Sequence, residues 1–140
     1  MTIARFALRP ARTSATAGYQ PGTCNIGPEE IGRRRLAGHL GVAVTLVALA
    51  VLVRIDASAW TRMIIALPAA GAASGYLQAW LKFCAGFGAR GVYNFGPIGG
   101  LREVVDDEAR ARDRRKAREI GLLALGIGLV AGIVAVLLPL

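Results

Sequence analysis

Two cysteines and one histidine, Cys24, Cys84 and His39, are the only thiols and the only imidazole in the 140 residues. A thiol pair could handle redox equivalents or carry a persulfide, provided that its Cα atoms come within about 4.4–6.8 Å. The alternative is two reduced thiols filling small spaces, as is usual where the surroundings are reducing. A lone histidine could ligate a haem or a chlorin or relay a proton, or it could hydrogen-bond across a helix interface. Two cysteines and one histidine are too few for a closed zinc site. Glu29 and Glu30 are adjacent, so on a helix they face different sides and cannot flank one substrate. The chain has no G-x-S-x-G, Walker-type or H-E-x-x-H motif. No catalytic set is expected, no resident cofactor is required, and the reading is of a protein that is not an enzyme.

The elements that must position these residues are apolar. Residues 36–53, 63–81 and 120–140 form three stretches without Asp, Glu, Lys or Arg. Each is about long enough to cross a ~30 Å hydrocarbon layer as a helix. A soluble domain would spread its apolar residues with helical or strand periods instead of gathering them into three blocks. The expected fold is an all-α integral membrane protein: a transmembrane hairpin, then a third transmembrane helix continuous with a charged cytoplasmic helix. No charged residue lies inside any stretch, which argues against transport by this chain alone.

The net charge of +8 comes from 17 basic and 9 acidic residues. The basic residues flank the apolar stretches and show no aromatic-interleaved patch, so anionic lipid headgroups are the expected partner and nucleic acid is not. Residues 1–35 hold six arginines, the link 54–62 two, and 82–119 nine lysines or arginines. The positive-inside rule then places the N-terminus and the second link in the cytoplasm and the 140 end near the outer face. Residues 1–23 read as a cytoplasmic tail, although residues 1–21, free of acids and rich in Ala, Thr and Arg, also fit a transit peptide. A bacterial inner membrane is the expected location. Trp60, Tyr76 and Trp80 suit the headgroup levels, with Lys82 beside them.

Residues 24–91 form the lead-in segment and hairpin, and 92–140 hold a connector, a charged helix and the third stretch. Pro28 suits a helix's first turn, Glu29 and Glu30 its positive end, and Asn25 or Gly27 its cap. Arg33, Arg34 and Arg35 then meet the headgroups. Pro68 is expected to kink the second stretch. The Gly-rich connector 84–100 is a poor helix. From Leu101 a charged helix is expected, with Asp106–Arg110 and Glu108–Arg112 as i,i+4 pairs. Its arginines, Arg110, Arg112, Arg114 and Arg115, form either a solvated face or a cytoplasmic docking surface. Gly71 with Gly75, and Gly128 with Gly132, make G-x-x-x-G stripes, the second extended by Gly121 and Ala124, that suit close helix packing within the chain, in a homo-oligomer or with other subunits.

The spacing Asn25, Gly27, Glu30, Arg34, Gly38, followed by Cys84, Phe87 and Gly91, resembles a small bacterial two-helix inner-membrane domain. Its motifs are N-x-G-x-x-D-x-x-x-R-x-x-x-G and C-P-x-Y-x-x-L-G. That domain is found appended to a rhodanese module in membrane sulfurtransferases and as short stand-alone proteins. The resemblance covers about residues 24–91 and implies a two-helix hairpin without a defined activity. Its link with sulfurtransferases lends weight to the thiol reading of Cys24 and Cys84. The chain departs from the pattern at Glu30, Ala85, Phe87 and Arg90, and it carries a third apolar stretch and no rhodanese module. The residues therefore point to a non-catalytic accessory or scaffold subunit of a membrane assembly. Two alternatives stand beside it: a thiol- or persulfide-handling membrane protein, and a lipid- or pigment-binding one through His39.

Overall fold

The first helix, α1, begins where its sequence allows a start. In the computed structural model, which describes residues 18–140, α1 runs Pro28–Arg54 with Gly27 as its N-cap. Pro28 fills the first turn, where its missing N–H costs nothing. Gly27 provides no side-chain cap; its value is space, since a Cβ there would lie 2.9 Å from the Phe95 Cα. Asn25, the other cap candidate, points its side chain elsewhere, to Cys84. A turn with Asp56 at φ +52° returns the chain.

The second apolar element opens as a 3-10 turn, Thr61–Ile65, and continues as α2, Ala66–Leu81. Pro68 is the third residue of α2, just after the change of helix type. α2 ends at Lys82, whose φ of +54° turns the chain out of the helix.

The connector is more ordered than its glycines suggest. A short helix, α3, spans Ala85–Arg90 and stops at Gly91, φ +70°. Strand β1, Val92–Tyr93, pairs antiparallel with β2, Arg102–Glu103, in the register Val92↔Glu103. The charged helix therefore starts later than Leu101. Asp106 caps it by accepting from the Glu108 N–H, and α4 runs Asp107–Leu137. Because Asp106 is the cap and the Arg110 side chain donates to the Val104 carbonyl, the expected Asp106–Arg110 pair does not form. Glu108–Arg112 does form, at 2.5 Å. The 31 residues of α4 join the charged and apolar runs into one rod, as the uninterrupted sequence suggests.

Three helices are long and apolar enough to cross a membrane: Pro28–Arg54, Thr61–Leu81 and Asp107–Leu137. α2 lies between α1 and α4. Small residues set both contacts. A Cβ on Gly75 would sit 2.5 Å from the Gly38 N, and one on Gly128 2.5 Å from the Ala66 carbonyl oxygen, so each pair of backbones approaches too closely for a larger side chain. Gly132 faces the Met63 sulfur, a side-chain contact, with the Met63 carbonyl oxygen 3.3 Å from where a Cβ would lie. Gly71 and Gly121 take no part, since a Cβ at either meets nothing within 4 Å. The α1–α2 contact uses Gly38 and Gly41 in place of Gly71.

Candidate functional site: a buried polar interlock

The most completely buried large side chains of this protein gather at one end. Phe83, Ile26, Ile120, Glu30, Asn25, Asn94 and Asp113 are the largest side chains buried to below 2% exposure. All seven belong to the end where α1 begins, α2 stops and the charged half of α4 lies. Four of the seven are polar, and a buried polar group is costly unless it is hydrogen-bonded. Their partners therefore define what this end is for.

Asn25 is the centre. Its side-chain amide brackets the backbone of Cys84: Nδ2 donates to the Cys84 carbonyl at 3.0 Å, and Oδ1 accepts from the Cys84 N–H at 2.6 Å. Its backbone N–H donates to the Lys82 carbonyl and its carbonyl accepts from the Asn94 N–H. The Gly27 N–H donates to the Asn94 carbonyl at 2.8 Å. Thus residues 25–27 run between the end of α2 and the Tyr93–Phe95 segment and bond to both. Asn94 extends the set, with Nδ2 donating to Glu30 Oε1 at 3.3 Å and to the Pro97 carbonyl at 2.9 Å, while Oδ1 accepts from the Gly96 N–H.

Arg34 closes the interlock from one turn further along α1. Its Nη2 donates to the Cys84 Sγ at 2.9 Å and lies 3.6 Å from Glu30 Oε2. Its guanidinium approaches the Phe87 ring, 5.5 Å from the centroid, and the Arg90 guanidinium approaches the same ring at 5.6 Å. The Phe87 N–H also donates to Cys84 Sγ, at 3.4 Å. Arg34 thus faces inward, with 20% side-chain exposure, whereas Arg33 and Arg35 are exposed. Lys82 is exposed too.

Both cysteines are free. Cys84 is buried with its sulfur accepting from Arg34 and Phe87, and Cys24 is half-buried with its thiol directed at the Ile26 carbonyl. His39 Nδ1 lies 2.6 Å from the Tyr76 hydroxyl, and the two rings meet edge-on. Among the described residues no group of three metal-ligating side chains forms.

Of the α4 arginines, Arg112 pairs with Glu108, Arg115 with Glu119, and Arg110 turns back to Val104. Arg114 is exposed. The charged half of α4 is not a wholly solvated face. Asp113 is fully buried and accepts from the Tyr19 hydroxyl and the Gly22 N–H, both at 2.7 Å. Tyr19 stacks on Tyr93, with centroids 4.7 Å apart. Burial, and then the Asp113 carboxylate, hold the Tyr19 phenol well above its ordinary value. Residues 18–23, read from sequence as part of a free tail, are therefore strapped to α4. Residues 1–17 of that tail lie outside the described residues.

Sequence reasoning missed Asn94, Asp113 and Tyr19. Asn94 follows Tyr93 in a Gly-rich run, where turn chemistry hides an inward-facing amide. Asp113 sits among five basic neighbours that make the helix look solvated. Arg62, in sequence one of the two arginines of the 54–62 link, is buried and donates to the Leu138 and Leu140 carbonyls. The one signal that did reach the interlock is the spacing of Asn25, Glu30, Arg34, Cys84 and Phe87, whose residues converge here. Comparisons of the chain with family models, with curated proteins and with solved structures return no match.

Proposed function

We propose that this chain is a non-catalytic accessory or scaffold subunit of a larger membrane protein assembly. The observation that carries it is the interlock itself. The side chains best able to do chemistry, Glu30, Arg34 and Cys84, are engaged with one another and with Asn25 and Asn94, joining α1, the end of α2 and the 93–97 segment. That arrangement stiffens one end of a three-helix unit. The apolar faces also support the reading: only 6% of the apolar window of α1 is buried, against 28% in each of the other two helices, which leaves a long face for lipid or a partner helix. The lysine and arginine distribution supports a bacterial inner membrane with the interlock on the cytoplasmic side. The test is affinity purification of the tagged full chain from its own membranes in mild detergent. The reading expects further polypeptides in fixed ratio to the chain, and a chain recovered alone as a monomer contradicts it.

A second reading, thiol or persulfide handling, is favoured by one feature: two N–H donors, from Arg34 and Phe87, converge on the Cys84 sulfur. The resemblance of residues 24–91 to the sulfurtransferase-linked domain supports it. It expects a sulfane-sulfur mass increment on Cys84 after exposure of the purified protein to a persulfide donor, reduced by Arg34→Ala. An unmodified Cys84 after that treatment ends this reading.

A further inference from the structure

Most basic residues on the charged half of α4 have partners. Arg112, Arg115 and Lys116 each lie within ion-pair distance of a glutamate, and Arg110 donates to Val104. Arg114 and Arg118 differ: among the described residues neither forms an ion pair or a side-chain hydrogen bond. The sequence explains why. Three and four positions from Arg114 stand Arg110, Ala111, Ala117 and Arg118, and from Arg118 stand Arg114, Arg115, Gly121 and Leu122. No carboxylate is within helical reach of either.

These two arginines, one turn apart, edge a groove of about 520 Å³ between α3 and α4. Its other lining residues are Ala85, Ala89, Ala111 and Ala117, so an apolar floor sits beside two unpaired guanidiniums. Its depth along the bundle is set by packing. Ala117 and Ile120 contact Phe83, with Leu77 and Leu81 of α2 alongside. Arg118 is therefore level with the end of α2's apolar stretch, and no charged side chain follows it in α4 after Glu119. In a bilayer this is the headgroup boundary.

We propose that the α3–α4 groove binds one anionic phospholipid, with its phosphate between Arg114 and Arg118, its glycerol against Ala85 and Ala117 at the deep end of the groove, and its acyl chains continuing along the exposed apolar face of α4 from Leu122. Guanidiniums bind phosphate oxygens through paired, charge-assisted hydrogen bonds, which suits two arginines one turn apart. The apolar floor favours a lipid over a free phosphate ion. The proposal rests on insertion of the three helices into a membrane and is independent of the scaffold reading, because its readout is a bound lipid and not a co-purified polypeptide.

Native mass spectrometry of the full chain in detergent, with phosphatidylglycerol or phosphatidylcholine added at equal concentration, tests it. Wild type is expected to retain phosphatidylglycerol in preference to phosphatidylcholine. Arg114→Gln with Arg118→Gln is expected to weaken retention by about fivefold per arginine. Arg33→Gln with Arg35→Gln removes equal charge from exposed positions on α1 and is expected to leave retention near wild type. Ala89→Leu fills the floor at unchanged charge and is expected to displace the lipid. Equal loss in the two double variants, equal retention of the two lipids, no effect of Ala89→Leu, or displacement of the lipid by millimolar inorganic phosphate would each overturn the proposal.

Discussion

Asn25 is the residue on which the charged end depends most. Truncation to alanine leaves the buried N–H of Cys84 without a partner, while its carbonyl keeps the Gly88 N–H, and such an orphan costs about 1–3 kcal/mol. Asn25→Ala is therefore expected to lower stability by about 1–3 kcal/mol, read as the thermal midpoint in detergent; a midpoint equal to wild type contradicts the assigned bonds. Arg34 is the second such residue. Arg34→Ala leaves the Glu30 carboxyl, 1% exposed, without its cation, and breaking a buried pair from one side costs about 3–5 kcal/mol. Because Arg34 itself is one-fifth exposed, the lower figure is expected, and Glu30→Gln in the same chain should recover part of the loss. Tyr19 gives a pH-dependent outcome. Its phenol holds its proton more tightly in the folded chain than in the unfolded one. The stability it adds is full below pH about 10 and is lost as pH rises from there through the folded value. Site-resolved NMR of labelled tyrosine is expected to show Tyr19 ionising at lower pH in Asp113→Asn than in wild type. The motif spacing made Asn25, Glu30, Arg34 and Cys84 stand out in the sequence. Their bonding was not legible there, because Asn94, the residue that links Glu30 to the 25–27 segment, carries no spacing signal.

At the scale of elements, helix packing depends on a few backbone approaches. Gly75 on α2 and Gly128 on α4 have no room for a side chain, while Gly71 on the same α2 has open space. Gly75→Leu and Gly128→Leu are expected to disrupt the bundle, seen as loss of a monodisperse peak on gel filtration, whereas Gly71→Leu is expected to leave it intact. Equal behaviour of Gly71→Leu and Gly75→Leu would contradict the packing. This contrast shows where sequence reading stops. The G-x-x-x-G spacing identifies a face able to pack, but which glycine is in contact depends on the partner helix, here Gly38 and Gly41, of which only Gly38 stands in a motif. The three apolar helices and the continuity of α4 were legible from composition and from the lack of Gly or Pro between Leu101 and Ile120. The late start of α4 was not, because the pairing of Arg102–Glu103 with Val92–Tyr93 is a tertiary choice that overrides local helix preference. The cap at Asp106 then fixes where the helix begins.

The whole molecule inverts the arrangement of a soluble domain. Its large exposed side chains are apolar along most of the length of the three helices, and of its seven most completely buried large side chains four are polar and all are gathered at one end. Such a distribution is stable when lipid covers the apolar lengths and the polar end pairs most of its own polar groups; among the described residues Glu30 Oε2 and Arg34 Nε are the buried atoms of the interlock without a hydrogen bond. At the charged end the 18–23 strap, the 25–30 segment, α3 and the start of α4 are held together by hydrogen bonds. The central claim is that Cys84 serves as a buried structural acceptor in that closed end. Rates of thiol labelling in the folded protein, held in detergent or bilayer, test this most directly. The account predicts that Cys24, half-buried, reacts readily while Cys84, 3% exposed, reacts only as fast as the end opens, and that Asn25→Ala speeds Cys84 alone. A Cys84 that labels as fast as Cys24 in the folded wild-type protein would contradict it.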